Sequence, residues 1–187
     1  MSARSGPNEW TLGFGIGIIW NVLGSVLAVV GAATFLEVYN LTHPVVRGIV
    51  LNIGAGFGPI LLTGMLLLLL IAAHELVHGL TMRLFGGRPR YGVGAMGKIL
   101  PYFYCTAEGE RFTRAQFAAV ALAPMLALSL LGGLAVAYLP YGGWLVLPLG
   151  LHLGRCIGDF WVLGVVLMQP RGTLIEDMKT GVRFHWC

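Results

Sequence analysis

Residues 60–82, ILLTGMLLLLLIAAHELVHGLTM, form a mainly apolar run long enough to cross a membrane, whose ionisable residues are His74, Glu75 and His78. On a helix, residues four apart lie one turn apart on the same face, so His74 and His78 can grip one metal ion. Glu75 then stands beside the metal, where it can take a proton from a bound water. An unpaired carboxylate at membrane depth costs at least ~2.5 kcal/mol on insertion scales, which argues for chemistry rather than packing. The bland alternative is a pair of hydrogen-bonded histidines lining a polar seam between helices.

Composition extends the membrane reading to the whole chain. It is 57% hydrophobic and 11% charged, with a mean hydropathy of +0.80, values foreign to a soluble domain of 187 residues. An all-α membrane protein with one domain over 1–187 is expected. Four spans are long enough for about 30 Å of hydrocarbon, near residues 10–35, 59–84, 115–139 and 144–168. The first, Trp10–Phe35, exceeds a signal-peptide core and reads as a retained span. Gly13, Gly17, Gly24 and Gly31 on it permit close helix contact. Pro59 and Pro148 lie where first-turn prolines are tolerated, whereas Pro124 falls inside the third span and should free a carbonyl at membrane depth. Cys105, Cys156 and Cys187 show no CxxC spacing and read as small apolar residues, not as a disulfide framework or thiolate site.

Charge sets the expected orientation. Arg83, Arg88, Arg90, Lys98, Arg111 and Arg114 lie between spans two and three, and Arg171, Lys179 and Arg183 follow span four. Only Arg47 lies between spans one and two, and the turn at Pro140–Gly143 has no basic residue. The positive-inside rule then puts both termini in the cytoplasm and makes the protein multi-pass in the cell membrane. The net charge of +4 belongs to loops and implies no nucleic-acid partner. The tail after span four reads as a mainly polar cytoplasmic segment, suited also to a flap over the site.

A catalytic zinc commonly takes three protein ligands and leaves one position for water. Candidates for the third are Asp159 and His152 on span four. Measured from the cytoplasmic ends of straight spans at 1.5 Å per residue, His78 lies about 9 Å deep, and His74 and Asp159 about 15 Å. His152 lies about 25 Å deep, roughly two turns too far out, and reads as a polar contact or access-path residue. Arg155, four residues before Asp159, can pair with it as a structural ion pair or orient it as a ligand.

These residues resemble the site-2-protease class of intramembrane zinc metalloproteases. The closer likeness is to the short bacterial and archaeal proteins described as putative zincin peptidases. HELVHGLTMRLFGGRPRYGV (74–93), LAPMLAL (122–128), IGDFWVLGVVL (157–167) and IEDMKTGVRF (175–184) carry it. The resemblance implies one zinc per chain on His74, His78 and Asp159, Glu75 as general base, and a site near the cytoplasmic side. It also implies hydrolysis of a membrane-spanning peptide or protein substrate within the lipid bilayer. The class commonly sets its distant carboxylate in a Leu-Asp-Gly context, whereas this chain reads Ile157-Gly158-Asp159-Phe160.

Gly86-Gly87 should end span two, and residues 91–106 mix glycine with β-favouring Tyr, Val, Ile and Phe, which suits a short β-hairpin or re-entrant loop. In the resembling proteases, strands here pair with an unwound substrate. Two rival functions stand beside the peptidase: a non-proteolytic metal-binding membrane protein such as a sensor, and a small transporter subunit. Glu75 speaks against the first, because a structural zinc needs no neighbouring base. The lack of any repeat between the halves speaks against the second.

Overall fold

The computed structural model describes residues 8–11, 14–44, 57–96, 100–179 and 181–186. Gly13, Arg47, Lys98 and Cys187, used in reading the sequence, lie outside them. In chain order the elements are β1 (Asn8–Thr11), α1 (Phe14–Thr42), α2 (Gly58–Leu84), β2 (Arg90–Met96), β3 (Leu100–Thr106) and β4 (Phe112–Thr113). After these come α3 (Arg114–Tyr138), a 3₁₀ turn (Gly142–Leu145), α4 (Val146–Arg155), α5 (Ile157–Leu167), β5 (Leu174–Met178) and β6 (Gly181–His185). Among the described residues, four helical stretches are long and apolar enough to cross a membrane: Ile18–Thr42, Gly58–Leu84, Arg114–Tyr138 and Gly142–Leu167. Large apolar side chains stand outward on them, among them Val29, Leu61 and Leu130, each at least 65% exposed. Such surface fits lipid and would be unfavourable in water.

Three sequence expectations change. The first helix begins and ends later than Trp10–Phe35, because Trp10 belongs to β1, which pairs antiparallel with β6. No glycine or proline stops α1 after Phe35, and Phe35 and Tyr39, one turn apart, are both buried. The fourth span is two helices with the break at Cys156, not one. The protein is mainly helical rather than all-α, since loop and tail form two small sheets. The tail after the fourth span is accordingly not a plain polar segment. Its β6 alternates partly buried and buried residues, with Val182 and Phe184 facing inward, the period-two pattern of a half-buried strand.

The chain divides into two compact units. The helical unit, 18–74 and 124–157, contains α1, the 3₁₀ turn, α4, the first part of α2 and the second part of α3. Phe35, Tyr39, Val136, Val146 and Leu149 form its core. Contact between α1 and α4 depends on missing side chains. A Cβ on Gly154 would meet the Gly24 carbonyl oxygen at 2.5 Å, and one on Gly24 would meet the Gly154 oxygen at 2.8 Å.

The mixed unit, 1–17, 75–123 and 158–187, holds both sheets with the rest of α2 and α3 and α5. One sheet has the order β1-β6-β5-β4 and the other is the hairpin β2-β3, its register running from Arg90↔Thr106 to Met96↔Leu100. Phe112, Phe117, Val120, Val166, Ile175 and Phe184 lie in the core under the four-stranded sheet. Gly86, at φ 83°, ends α2, and the Gly87 N–H returns to the Met82 carbonyl at 3.0 Å, a Schellman closure. Glu176 on β5 is buried yet fully engaged: it accepts from the Gly109 N–H at 2.9 Å and lies 2.8 Å from His185 Nε2 and 3.3 Å from Arg183. Burial pushes its pKa up, but the Gly109 N–H, His185 and Arg183 together hold it below the usual glutamate value.

Two stability outcomes follow. Gly154→Val should lower thermal stability in detergent by about 1–3 kcal/mol, because the new side chain meets backbone that cannot give way. Gly164→Ala, where a Cβ meets nothing within 4 Å, should be near neutral in the same melt. A depressed folded pKa at Glu176 stabilises above the unfolded value of about 4.3 and is lost as pH falls through the folded one. Glu176→Gln should therefore be less stable than the wild type at pH 7, with the gap closing below about pH 4.

Candidate metal centre

The site is built on α2 and on a defect in α3. A helical residue normally donates its N–H to the carbonyl four positions back, but Pro124 has no N–H to give Val120. Buried Pro124 stays inside the continuous helix α3, and the Val120 carbonyl, released from helix bonding, accepts from His78 Nδ1 at 2.9 Å. The carbonyl that the sequence predicted to be freed thus has a partner. To make this bond Nδ1 must donate, which turns Nε2 away from the carbonyl. That nitrogen lies 3.4 Å from Asp159 Oδ1, in the first turn of α5. Two ligand atoms each about 2.0–2.1 Å from a tetrahedral ion stand roughly 3.4 Å apart, so the pair is spaced for zinc.

Other groups of the mixed unit converge on this pair. Glu75, three residues before His78, is 9% exposed. Asp177, on β5, has its pKa raised to about 7, first by burial and further by the carboxylates of Asp159 and Glu75, against the opposing influence of His78 and Thr106. Cys105 on β3 is pushed up to about 12 by burial, with Glu75 and Asp177 adding to the shift. The charges of His78, Asp159 and Glu75 are thus felt at Asp177 on the sheet. The Tyr91 hydroxyl packs where a side chain of Gly79 would be, so Gly79 opens room for it one turn beyond Glu75. Asp177 and Tyr91 were not singled out from the sequence. Asp177 was hidden in a charged tail, and only the alternation of β5, which turns Glu176 and Asp177 to opposite faces, could have separated their roles.

In the helical unit, His74 Nδ1 lies 3.1 Å from His152 Nε2, with the rings edge to face. His152 is completely buried, and Cys156 Sγ lies 3.9 Å from the same nitrogen. His74, His152 and Cys156 together could hold a metal ion. Reading depth along one straight fourth helix put His152 two turns too far out. The helix breaks between His152 and Asp159, and the residue that failed on depth is the hydrogen-bond partner of His74. Cys156, read from sequence as a plain apolar residue, belongs to the same cluster. Arg155 is the last residue of α4, and Asp159 lies in the first turn of α5.

His74 and Glu75 are consecutive residues of α2, the last of one unit and the first of the other, and the helix runs through them without a break. Membrane-length helices bearing buried histidine and carboxylate donors are those of a chain compatible with a multi-pass membrane protein and equipped with a candidate metal-binding core. The chain belongs to the family described as "Putative zincin peptidase", which matches residues 66–174. That family points to zinc and to a metallopeptidase. No curated protein and no solved structure matches the chain.

Pro124→Ala tests the role of the proline directly. The alanine N–H would compete with His78 for the Val120 carbonyl and loosen the ring. Zinc affinity should fall about tenfold, as for loss of an orienting partner, while the fold is retained. Zinc titration of detergent-solubilised protein measures it.

Proposed function

We propose that the protein is an intramembrane zinc endopeptidase, with zinc on His74, His78 and Asp159 and Glu75 as general base. The observation that carries this reading is His78, locked through Nδ1 to the Val120 carbonyl, with Nε2 facing Asp159 at 3.4 Å. His74 stands one turn from His78 on the unbroken helix α2, and its own Nδ1 is tied to His152. With Nδ1 of each ring so engaged, Nε2 is the nitrogen left to face the metal, and His152 acts as the orienting partner of His74.

Zinc on these residues would supply a Lewis acid that makes water more acidic and draws charge from a carbonyl. Glu75 takes the proton released at the attacking water and returns it to the departing amine nitrogen. Its burial keeps bulk water from competing for that proton. A helical substrate hides its carbonyls in internal hydrogen bonds and must unwind before attack, so substrates with helix-breaking residues are favoured. The β2–β3 hairpin, a two-stranded sheet, offers a strand edge to the unwound chain. Arginines concentrated after α2, at the start of α3 and after α5 support cytoplasmic termini and a site near the cytoplasmic face.

A second reading places the metal on His74, His152 and Cys156, favoured by the complete burial of His152 and Cys156. Zinc per chain in detergent, without chelators, separates the two. The peptidase reading expects about one zinc, lost in His78→Ala and strongly reduced in Asp159→Asn. His152→Ala should cost less, about tenfold in affinity, and Cys156→Ala should retain the metal. Glu75→Gln should keep zinc and abolish cleavage of an unwound membrane peptide. Zinc retained in His78→Ala and lost in Cys156→Ala would assign the metal to the second cluster; undiminished cleavage by Glu75→Gln would remove Glu75 as the base.

A further inference from the structure

A second cleft lies in the mixed unit where α3 begins and α5 ends. Its volume is about 460 Å³, and its walls include Thr113, Arg114, Ala115, Leu167, Arg171 and Thr173. Two of these are cations, and no carboxylate among the described residues pairs with either. Arg114 Nη2 donates to the Leu167 carbonyl at 2.6 Å, covering the partial negative charge at the end of α5. Its Nε is buried without an acceptor, and Arg171 is exposed at the rim.

The start of α3 adds positive potential. Thr113 and Gln116 form a capping box: the Thr113 N–H donates to Gln116 Oε1 at 2.9 Å and the Gln116 N–H to Thr113 Oγ1 at 3.3 Å. That arrangement leaves the N–H groups of Arg114 and Ala115, which have no acceptor within the helix, directed outward at the positive end of a 25-residue helix. A separate observation points the same way. Thr173 is 3% exposed, and its buried Oγ1 has no hydrogen-bond partner among the described residues. Arginines, a helix start and an unanswered hydroxyl in one cleft are chemistry for a phosphate oxyanion.

The setting identifies the source of the phosphate. α3 is membrane-length and α5 ends the membrane-length stretch Gly142–Leu167, so the cleft lies at one end of each stretch. Met168, next to Leu167, is 85% exposed, and Leu167 is 49% exposed. A free anion would leave these apolar walls against water, whereas a phospholipid places its phosphate on the arginines and its chains along the helices. We propose that this cleft binds the phosphate head group of an anionic phospholipid. The proposal is independent of the peptidase reading, since none of its residues is placed in the metal centre.

The test measures protection against thermal unfolding of the full chain in detergent, on titration with phosphatidylglycerol, phosphatidylcholine or inorganic phosphate. Phosphatidylglycerol should protect the wild type most. Arg171→Gln should weaken its apparent affinity about fivefold, and Thr173→Val should weaken it further. Arg88→Gln, which removes an exposed arginine outside the cleft, should leave it unchanged; Arg114 is spared because it also caps α5. Equal loss in Arg88→Gln and Arg171→Gln would show general charge attraction and overturn the site. Equal protection by the two lipids would overturn anionic-lipid selectivity, and equal protection by inorganic phosphate would overturn the lipid assignment. No loss in the Arg171→Gln, Thr173→Val double variant would overturn the cleft itself.

Discussion

The hydrogen bond from His78 to the Val120 carbonyl is the constraint around which the centre is arranged. It joins two elements whose polar groups would otherwise be costly in an apolar setting. A carbonyl deprived of its helix partner by Pro124 loses roughly 1–3 kcal/mol if left unanswered, and more in lipid. An imidazole on a membrane-length helix needs a fixed tautomer to be a ligand. One bond meets both needs. It also fixes which nitrogen of His78 faces Asp159, so a proline inside a helix contributes to the electronic state of a side chain on another helix.

At His74 the partner of Nδ1 is a second histidine, His152, at 3.1 Å. In each case the partner is buried, and the contact fixes the orientation of the ring. This explains how polar residues persist in so apolar a chain. They are grouped, bonded to one another and enclosed by large side chains, while the outward faces of the helices stay apolar. The helix α1 packs against α4 through paired glycines, and this backbone contact is available only because neither position carries a Cβ.

The sheets give the mixed unit a character that a bundle of spans would lack. β5 turns Glu176 one way, into a closed set of hydrogen bonds with Gly109, Arg183 and His185, and Asp177 the other way, towards Glu75, His78 and Asp159. Neighbouring carboxylates on one strand thus acquire opposite behaviour, one held ionised and one pushed towards neutrality near pH 7. The Thr106 hydroxyl donates to the Asp177 carbonyl at 3.0 Å, tying the β2–β3 hairpin to the four-stranded sheet.

The apolar runs, the i,i+4 histidines and the interior proline were readable from sequence because each is a local pattern with a fixed physical period. Length and hydropathy alone located the later spans to within a few residues, and glycine with β-favouring residues marked the hairpin at 91–106. The β1 strand was not readable, since Trp10 is as apolar as the helix that follows it and only pairing with β6 decides its state. Nor was the place of His152, because a ruler along one straight helix cannot register a break at Cys156. The partner of the Val120 carbonyl, the facing of His78 and Asp159, and the opposite environments of Glu176 and Asp177 were settled only by the tertiary structure. The reason is general: spacing along the chain fixes which face a residue occupies, whereas the atom opposite it comes from a segment tens of residues away.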